Sequence, residues 1–223
     1  MGVLQHPAAP YVAPMAVFSV FLALGDFAGL GALEYPFRVA VLAAALWFFS
    51  RSVMAAEVRV TNWSGSILLG VAVFAMWVAP DVLFPGYRSH WLFTNSVVGK
   101  PESSVDAALR GNAMVLIFRA IRATVIVPIV EELFWRGWLM RWIIKVEFLQ
   151  VPLGTYARDA FWMVAVAFAL EHGPFWEVGL LCGIIYNWWM VRTKSLGDCM
   201  VAHAVTNGVL SAYTVFGGHW QYW

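Results

Sequence analysis

Residues 127–140 read VPIVEELFWRGWLM, with two adjacent acids, Glu131 and Glu132, and one arginine, Arg136, in an otherwise apolar run. Hydrocarbon penalises a mid-helix charge by about 2.5–3.5 kcal/mol on insertion scales, so such a run keeps its charges only where they have partners or work to do. Successive residues on a helix are offset by about 100°. Glu132 and Arg136, four apart, therefore share a face and can pair, while Glu131 is free to meet a different partner. Pro128 removes one backbone hydrogen bond and can bend the helix just before the acids.

The rest of the chain has the same apolar character. Of 223 residues, 61% are hydrophobic and only 12% charged, against roughly 25% charged in a soluble domain. Mean hydropathy is +0.72. The chain is expected to be an integral, multi-pass membrane protein, all-α, a polytopic bundle of about seven to eight helices. Its thirteen tryptophans suit the membrane interface. A net charge of +1 without a basic run leaves nothing to hold nucleic acid. Cys182 and Cys199 both fall in apolar segments, so neither a disulfide framework nor a cysteine zinc site is indicated. No Lys or Arg precedes Arg38, so the first apolar stretch is expected to be a retained span rather than a secretory signal.

Helix-length apolar segments fall at roughly 12–33, 36–50, 64–80, 113–145, 158–171, 174–191 and 198–216, with a long polar connection between Pro80 and Arg110. Residues 1–112 are expected to hold N-terminal membrane helices and that connection, 113–216 a helical core with the chemistry, and 217–223 a tail. Arg119 and Arg122 are placed at the interface, with the embedded part of their helix starting near Thr124. Glu131 then lies on the order of 10 Å deep at 1.5 Å per residue. Entering from the opposite face near Asp159, the next helix carries His172 about 20 Å, so the two meet at similar depth in a core of about 30 Å. Arg51, Arg59, Arg141, Lys145, Arg158, Arg192 and Lys194 fall on one side of a seven-span arrangement, which favours a cytoplasmic N-terminus.

Two further polar clusters follow. His172 stands four residues after Phe168, next to Glu171 and just before Gly173-Pro174, which must end or turn the helix. An imidazole there can accept or relay a proton near neutral pH, or simply bond a carbonyl. His203 and Asn207 share a helix face at four-residue spacing, either as donors for a developing oxyanion or as an interhelical hydrogen bond.

EELFWRG (131–137), FALEH (168–172) and HAVTN (203–207), the last within SLGDCMVAHAVTN, resemble the three motifs EExxxR, FxxxH and HxxxN of the CAAX prenyl protease and bacteriocin-processing family. The likeness covers about residues 113–215. It implies an intramembrane endopeptidase in which Glu131 and His172 activate a water, His203 and Asn207 hold the oxyanion, and Glu132 and Arg136 shape the site. It also implies a membrane-associated protein or peptide as substrate, no cofactor and, by similarity to bacterial members including an exosortase-associated subgroup, a bacterial cytoplasmic membrane.

Rival readings remain at this point. Glu131, His172 and His203 could ligate zinc, although no HExxH is present. A serine protease lacks a nucleophile elbow, and an aspartyl protease would need more than the Gly25-Asp26 echo and an isolated Asp81. The polar clusters could also belong to a non-catalytic immunity protein, scaffold or transporter.

Overall fold

The computed structural model describes residues 6–24 and 29–223. Gly25-Asp26 lies outside the described residues. Seven long helical segments follow in order: α1 (Ala9–Leu24), α2 (Gly31–Glu57), α3 (Trp63–Leu83), α4 (Ala113–Ile144), α5 (Arg158–Glu171), α6 (Trp176–Thr193) and α7 (Leu196–Gly217). Among the described residues no strand forms, and Asn95 and Gly99 make the one isolated bridge. The protein is an all-α membrane bundle. Four segments, α2, α3, α4 and α7, are long and apolar enough to cross a membrane.

The outer surface supports that environment. Trp47, Phe48, Leu68 and Leu170 are 69–76% exposed, which would be costly in water and is natural against acyl chains. Inside, Tyr11, Leu42, Val73, Val130, Leu133, Phe168, Tyr186 and Met190 form one core that spans most of the helices.

Of the first apolar stretch, expected over 12–33, residues 25–28 lie outside the described residues; Ala9–Leu24 is helical, and α2 begins at Gly31, where glycines at 29 and 31 take positive φ. The second extends past the expected end at 50 to Glu57. The 217–223 segment is no free tail. Trp223 is buried, its carbonyl accepts a hydrogen bond from the Ser104 amide, and it packs with Val105 and Val115.

Small residues let the helices that carry the site approach closely, as apolar surroundings require. A Cβ on Gly70 of α3 would lie 2.5 Å from the Ala202 carbonyl of α7. One on Gly183 of α6 would meet Ala165 of α5 at 3.0 Å. The start of α7 is tied down separately. Asp198 accepts from the Thr61 and Asn62 amides and the Thr61 hydroxyl at 2.6–3.0 Å, while Ser195 caps the helix. These bonds set the register of α7 and hence the position of His203.

Helix α4 is not uniform. Its backbone widens into π-helical turns at Arg122–Ile126 and again at Leu133–Leu139, either side of a regular turn, Val127–Glu132, that carries Pro128 and both acids. The first wide turn contains residue 124, whose carbonyl a proline at 128 would otherwise crowd. Such turns frequently mark functional positions in helices.

Candidate active site

Three helices bring the motif residues together: the middle of α4 (Glu131, Glu132, Arg136), the end of α5 (Phe168, His172) and the first half of α7 (His203, Asn207). Behind the site lies a dry ionic layer. Glu132 is fully buried, and one of its oxygens accepts from Arg136 Nη1 at 3.0 Å and lies 2.9 Å from His203 Nδ1. Arg136 Nε donates to Asn187 Oδ1 at 3.0 Å, and Asn187 in turn donates to the Phe161 carbonyl at 2.8 Å. The Arg136 guanidinium lies 4.7 Å from the centre of the Phe168 ring and 5.6 Å from that of Tyr186. The expected Glu132–Arg136 pair is present. That the same carboxylate also orients His203 is not visible in the spacing.

In front of that layer is a cavity of about 210 Å³ lined by Glu131, His172, His203 and Asn207, among other residues. Glu131 is 5% exposed, and its Oε2 has no hydrogen-bond partner. That oxygen lies 3.9 Å from His203 Nε2, too far for a direct hydrogen bond. The separation leaves room for a water or a reacting group to bridge the two.

His172 closes α5. Gly173 takes φ +52°, Pro174 follows, and the chain turns at once into α6. The ring nitrogen Nδ1 of His172 lies 2.7 Å from the Phe168 carbonyl. Since a carbonyl only accepts, Nδ1 carries the proton, and Nε2 is left as an acceptor on the cavity side. Trp77 and Phe168 pack on the ring at 5.3 and 4.5 Å between centroids. Its backing is Gly179 of α6, where any Cβ would come within 3.1 Å of the His172 Cβ. A side chain there would press the imidazole back by a few tenths of an ångström.

On α7, the His203 ring stacks on Tyr186, whose hydroxyl bonds Thr206 at 2.7 Å. Asn207 donates one amide N–H to the Ala123 carbonyl at 2.9 Å, leaving the other free for the cavity. Arg136, expected to shape the site, sits in the layer behind the cavity and does not line it. Among the described residues no three His, Cys, Asp or Glu side chains converge in a way that could hold a metal ion.

The roof of the cavity comes from outside the motifs. Tyr222 and Trp223 line it. The Tyr222 hydroxyl donates to Asp81 at 2.8 Å, and Asp81 also pairs with Arg88 at 2.9 Å. Burial and the neighbouring carboxylate push the Tyr222 phenol above the usual tyrosine range, so it stays protonated as the donor. Arg88 further reaches the Pro174 carbonyl and Glu177, both at 2.8 Å, and lies 4.1 Å from the centre of the Phe175 ring. This clamp holds the turn that ends in His172 against the long connection.

Arg119 and Arg122, expected at the interface, also line the cavity, and α4 runs unbroken from Ala113 through both. Neither they nor Asn187 carried a sequence motif, although an asparagine inside the apolar run LLCGIIYNWWM was itself a usable signal.

A buried acid–imidazole cluster thus opens on a cavity inside a helical membrane bundle. Residues 113–209, somewhat less than half of the chain, match the model of the type II CAAX prenyl endopeptidase Rce1-like family. No curated protein and no solved structure matches the chain. That segment is thus similar to a membrane protease family, in keeping with the four helices long and apolar enough to cross a membrane.

Proposed function

We propose that the protein hydrolyses a peptide bond of a membrane-associated protein or peptide, with Glu131 as general base. The observation that carries this reading is the carboxylate oxygen of Glu131, buried, unpartnered and facing the cavity shared with His172 and His203. Its neighbour Glu132 also has one unpartnered oxygen, but its other oxygen holds Arg136 and lies against His203, partners at hydrogen-bond distance that Glu131 lacks.

In the proposed reaction Glu131 takes a proton from a water in the cavity, and the oxygen attacks the carbonyl carbon of the scissile bond. Nε2 of His172, held as an acceptor by the Phe168 carbonyl, orients the same water. Negative charge develops on the carbonyl oxygen. His203 faces that charge with Nε2, its other nitrogen resting on the Glu132 carboxylate. The free N–H of Asn207 is the second donor. Donors fixed in advance in a water-poor site stabilise such charge without reorganising. Collapse of the intermediate breaks the C–N bond, and the proton held by Glu131 passes to the leaving amine. The products are a new carboxylate and a new amine. Bacterial cytoplasmic membrane is the location this reading expects.

The donor arrangement supports a metal-free route, since Glu132 and His203 bond one another and His172 bonds backbone rather than converging around a point. Chelator treatment of the purified protein is therefore expected to leave turnover unchanged. Stoichiometric zinc lost together with activity in His172→Ala, His203→Ala protein would overturn that part of the reading. The hydrolytic reading itself is tested with quenched fluorogenic peptides in vesicles. His172→Ala protein that melts like the wild type is expected to lose at least about 100-fold in rate, and full turnover by it would favour a non-catalytic membrane role.

A further inference from the structure

His172 ends α5, and the chain just after it does little to hold it. The next residue is Gly173 at φ +52°, and a single turn, Gly173–Phe175, leads into α6. Glycine imposes little conformational restraint, and the ends of helices fray first. The grip on this turn comes from Arg88, in the polar connection, outside all three motifs and 86 positions from Pro174.

Arg88 is 6% exposed, and its guanidinium meets three parts of the chain just past His172. Nη1 donates to the Pro174 carbonyl at 2.8 Å and pairs with Glu177 at 2.8 Å, and the group lies 4.1 Å from the centre of the Phe175 ring. Phe175 and His172 in turn pack against one indole, that of Trp77, at 6.1 and 5.3 Å between centroids. The arginine is itself anchored. Its Nε donates to Asp81 near the end of α3 at 2.9 Å, and the Thr94 hydroxyl donates to the Arg88 carbonyl at 2.7 Å. A second tie runs beside it, from the Trp176 indole to the Leu92 carbonyl at 3.0 Å. Arg88 does not line the cavity.

Replacing a buried ion pair by apolar groups of similar volume is often neutral or stabilising. Stability alone is therefore a weak reason to bury Arg88 between two carboxylates. A planar guanidinium fork, unlike an ammonium, fixes the direction of its partners. Direction matters at this turn, because a misplacement of about 1 Å caused far from the chemistry can cost about 100-fold in rate.

We propose that Arg88 is a positioning residue: by holding Pro174, Phe175 and Glu177 it sets the place of the His172 imidazole, and so of the water that Nε2 orients. The inference rests on the hydrolytic reading and adds to it a residue that touches neither water nor peptide.

The test is a double-substitution cycle with His172. Arg88→Lys keeps the charge between Asp81 and Glu177 but loses the fork. It is expected to lower kcat about 10- to 100-fold, with KM and melting temperature close to those of the wild type. On a His172→Ala background, measured in single turnovers, the same substitution should cost nothing further, because the group it positions is gone. A loss that multiplies undiminished on that background would overturn the proposal. So would full kcat in folded Arg88→Lys protein, or a loss confined to KM. Glu177→Gln weakens the same grip and leaves Arg88 in place. It should repeat the pattern at smaller size, and it takes over the cycle if Arg88→Lys protein does not fold. Nitrogen-15 spectra of histidine-labelled protein add a readout independent of turnover. The His172 resonances, assigned by their loss in His172→Ala protein, should move or broaden in Arg88→Lys protein, and unchanged resonances would overturn the proposal. If the wild-type protein cleaves no peptide while those resonances do move, the hydrolytic reading falls and the hold of Arg88 on His172 stands.

Discussion

Glu131 and Glu132 are neighbours in sequence, equally apolar in their surroundings, and opposite in condition. The layer around Glu132 is closed on one of its oxygens: Arg136, His203, Asn187 and the Phe161 carbonyl pass hydrogen bonds from one to the next, and only the second Glu132 oxygen and Arg136 Nη2 have no partner. The space around Glu131 is open, with an unpartnered oxygen and an imidazole at 3.9 Å. A hundred-degree turn of helix thus separates an acid committed to structure from one available for chemistry. The closed layer is what keeps the open one in position, since the same Glu132 oxygen that holds Arg136 also lies against His203.

The largest effect should come from exchanging the two acids in turn. Glu131→Gln is expected to lower the turnover rate by about 10²–10⁴-fold with an unchanged melting temperature in detergent. Glu132→Gln should lower both. If the two variants lose rate and stability alike, the division between the layers is wrong. Next comes Arg136→Met, which strands a buried carboxylate and should cost about 3–5 kcal/mol of stability. Adding Glu132→Gln to it should recover part of that loss, and denaturant unfolding of the single and double variants measures the recovery. Gly179→Ala should be smaller and kinetic. The new methyl must displace His172, so a rate loss on the order of tenfold, about 1.4 kcal/mol of activation, is expected with KM nearly unchanged. Tyr222→Phe should be the mildest. It removes one hydrogen bond to Asp81, worth about 0.5–1.5 kcal/mol, and a drop in thermal stability with retained rate would place the roof among the structural parts.

The convergence of the three motifs was legible because each charged or imidazole residue in an apolar run is expensive and must find company. Helix count and the turn after His172 followed equally from hydrophobic runs and from Gly173-Pro174. What escaped was direction. Arginines near the start of a helix read as interfacial from composition, and the spacing gave no sign that Arg119 and Arg122 also line the cavity. Likewise, spacing alone pairs Glu132 with Arg136 but says nothing of a third partner that arrives from another helix 71 positions away. Tyr222 and Trp223 were assigned to a tail for want of a long apolar run, whereas three-dimensional packing makes them a wall.

The two wide turns of α4 bear on how this helix tolerates changes of length. Each π turn holds its hydrogen bonds one residue further apart than an α turn, so it behaves as a built-in insertion. Deleting one residue within Leu133–Leu139 could tighten that turn to α geometry and leave Glu131 and its upstream neighbours facing as before. Everything downstream, including Arg141 with its bond to Glu57, would keep its phase as well. The same deletion within Val127–Glu132, where no slack is stored, would swing the acids by about 100° out of the cavity. Single-residue deletions walked along α4 should therefore be tolerated in an alternating pattern that point substitutions cannot reveal.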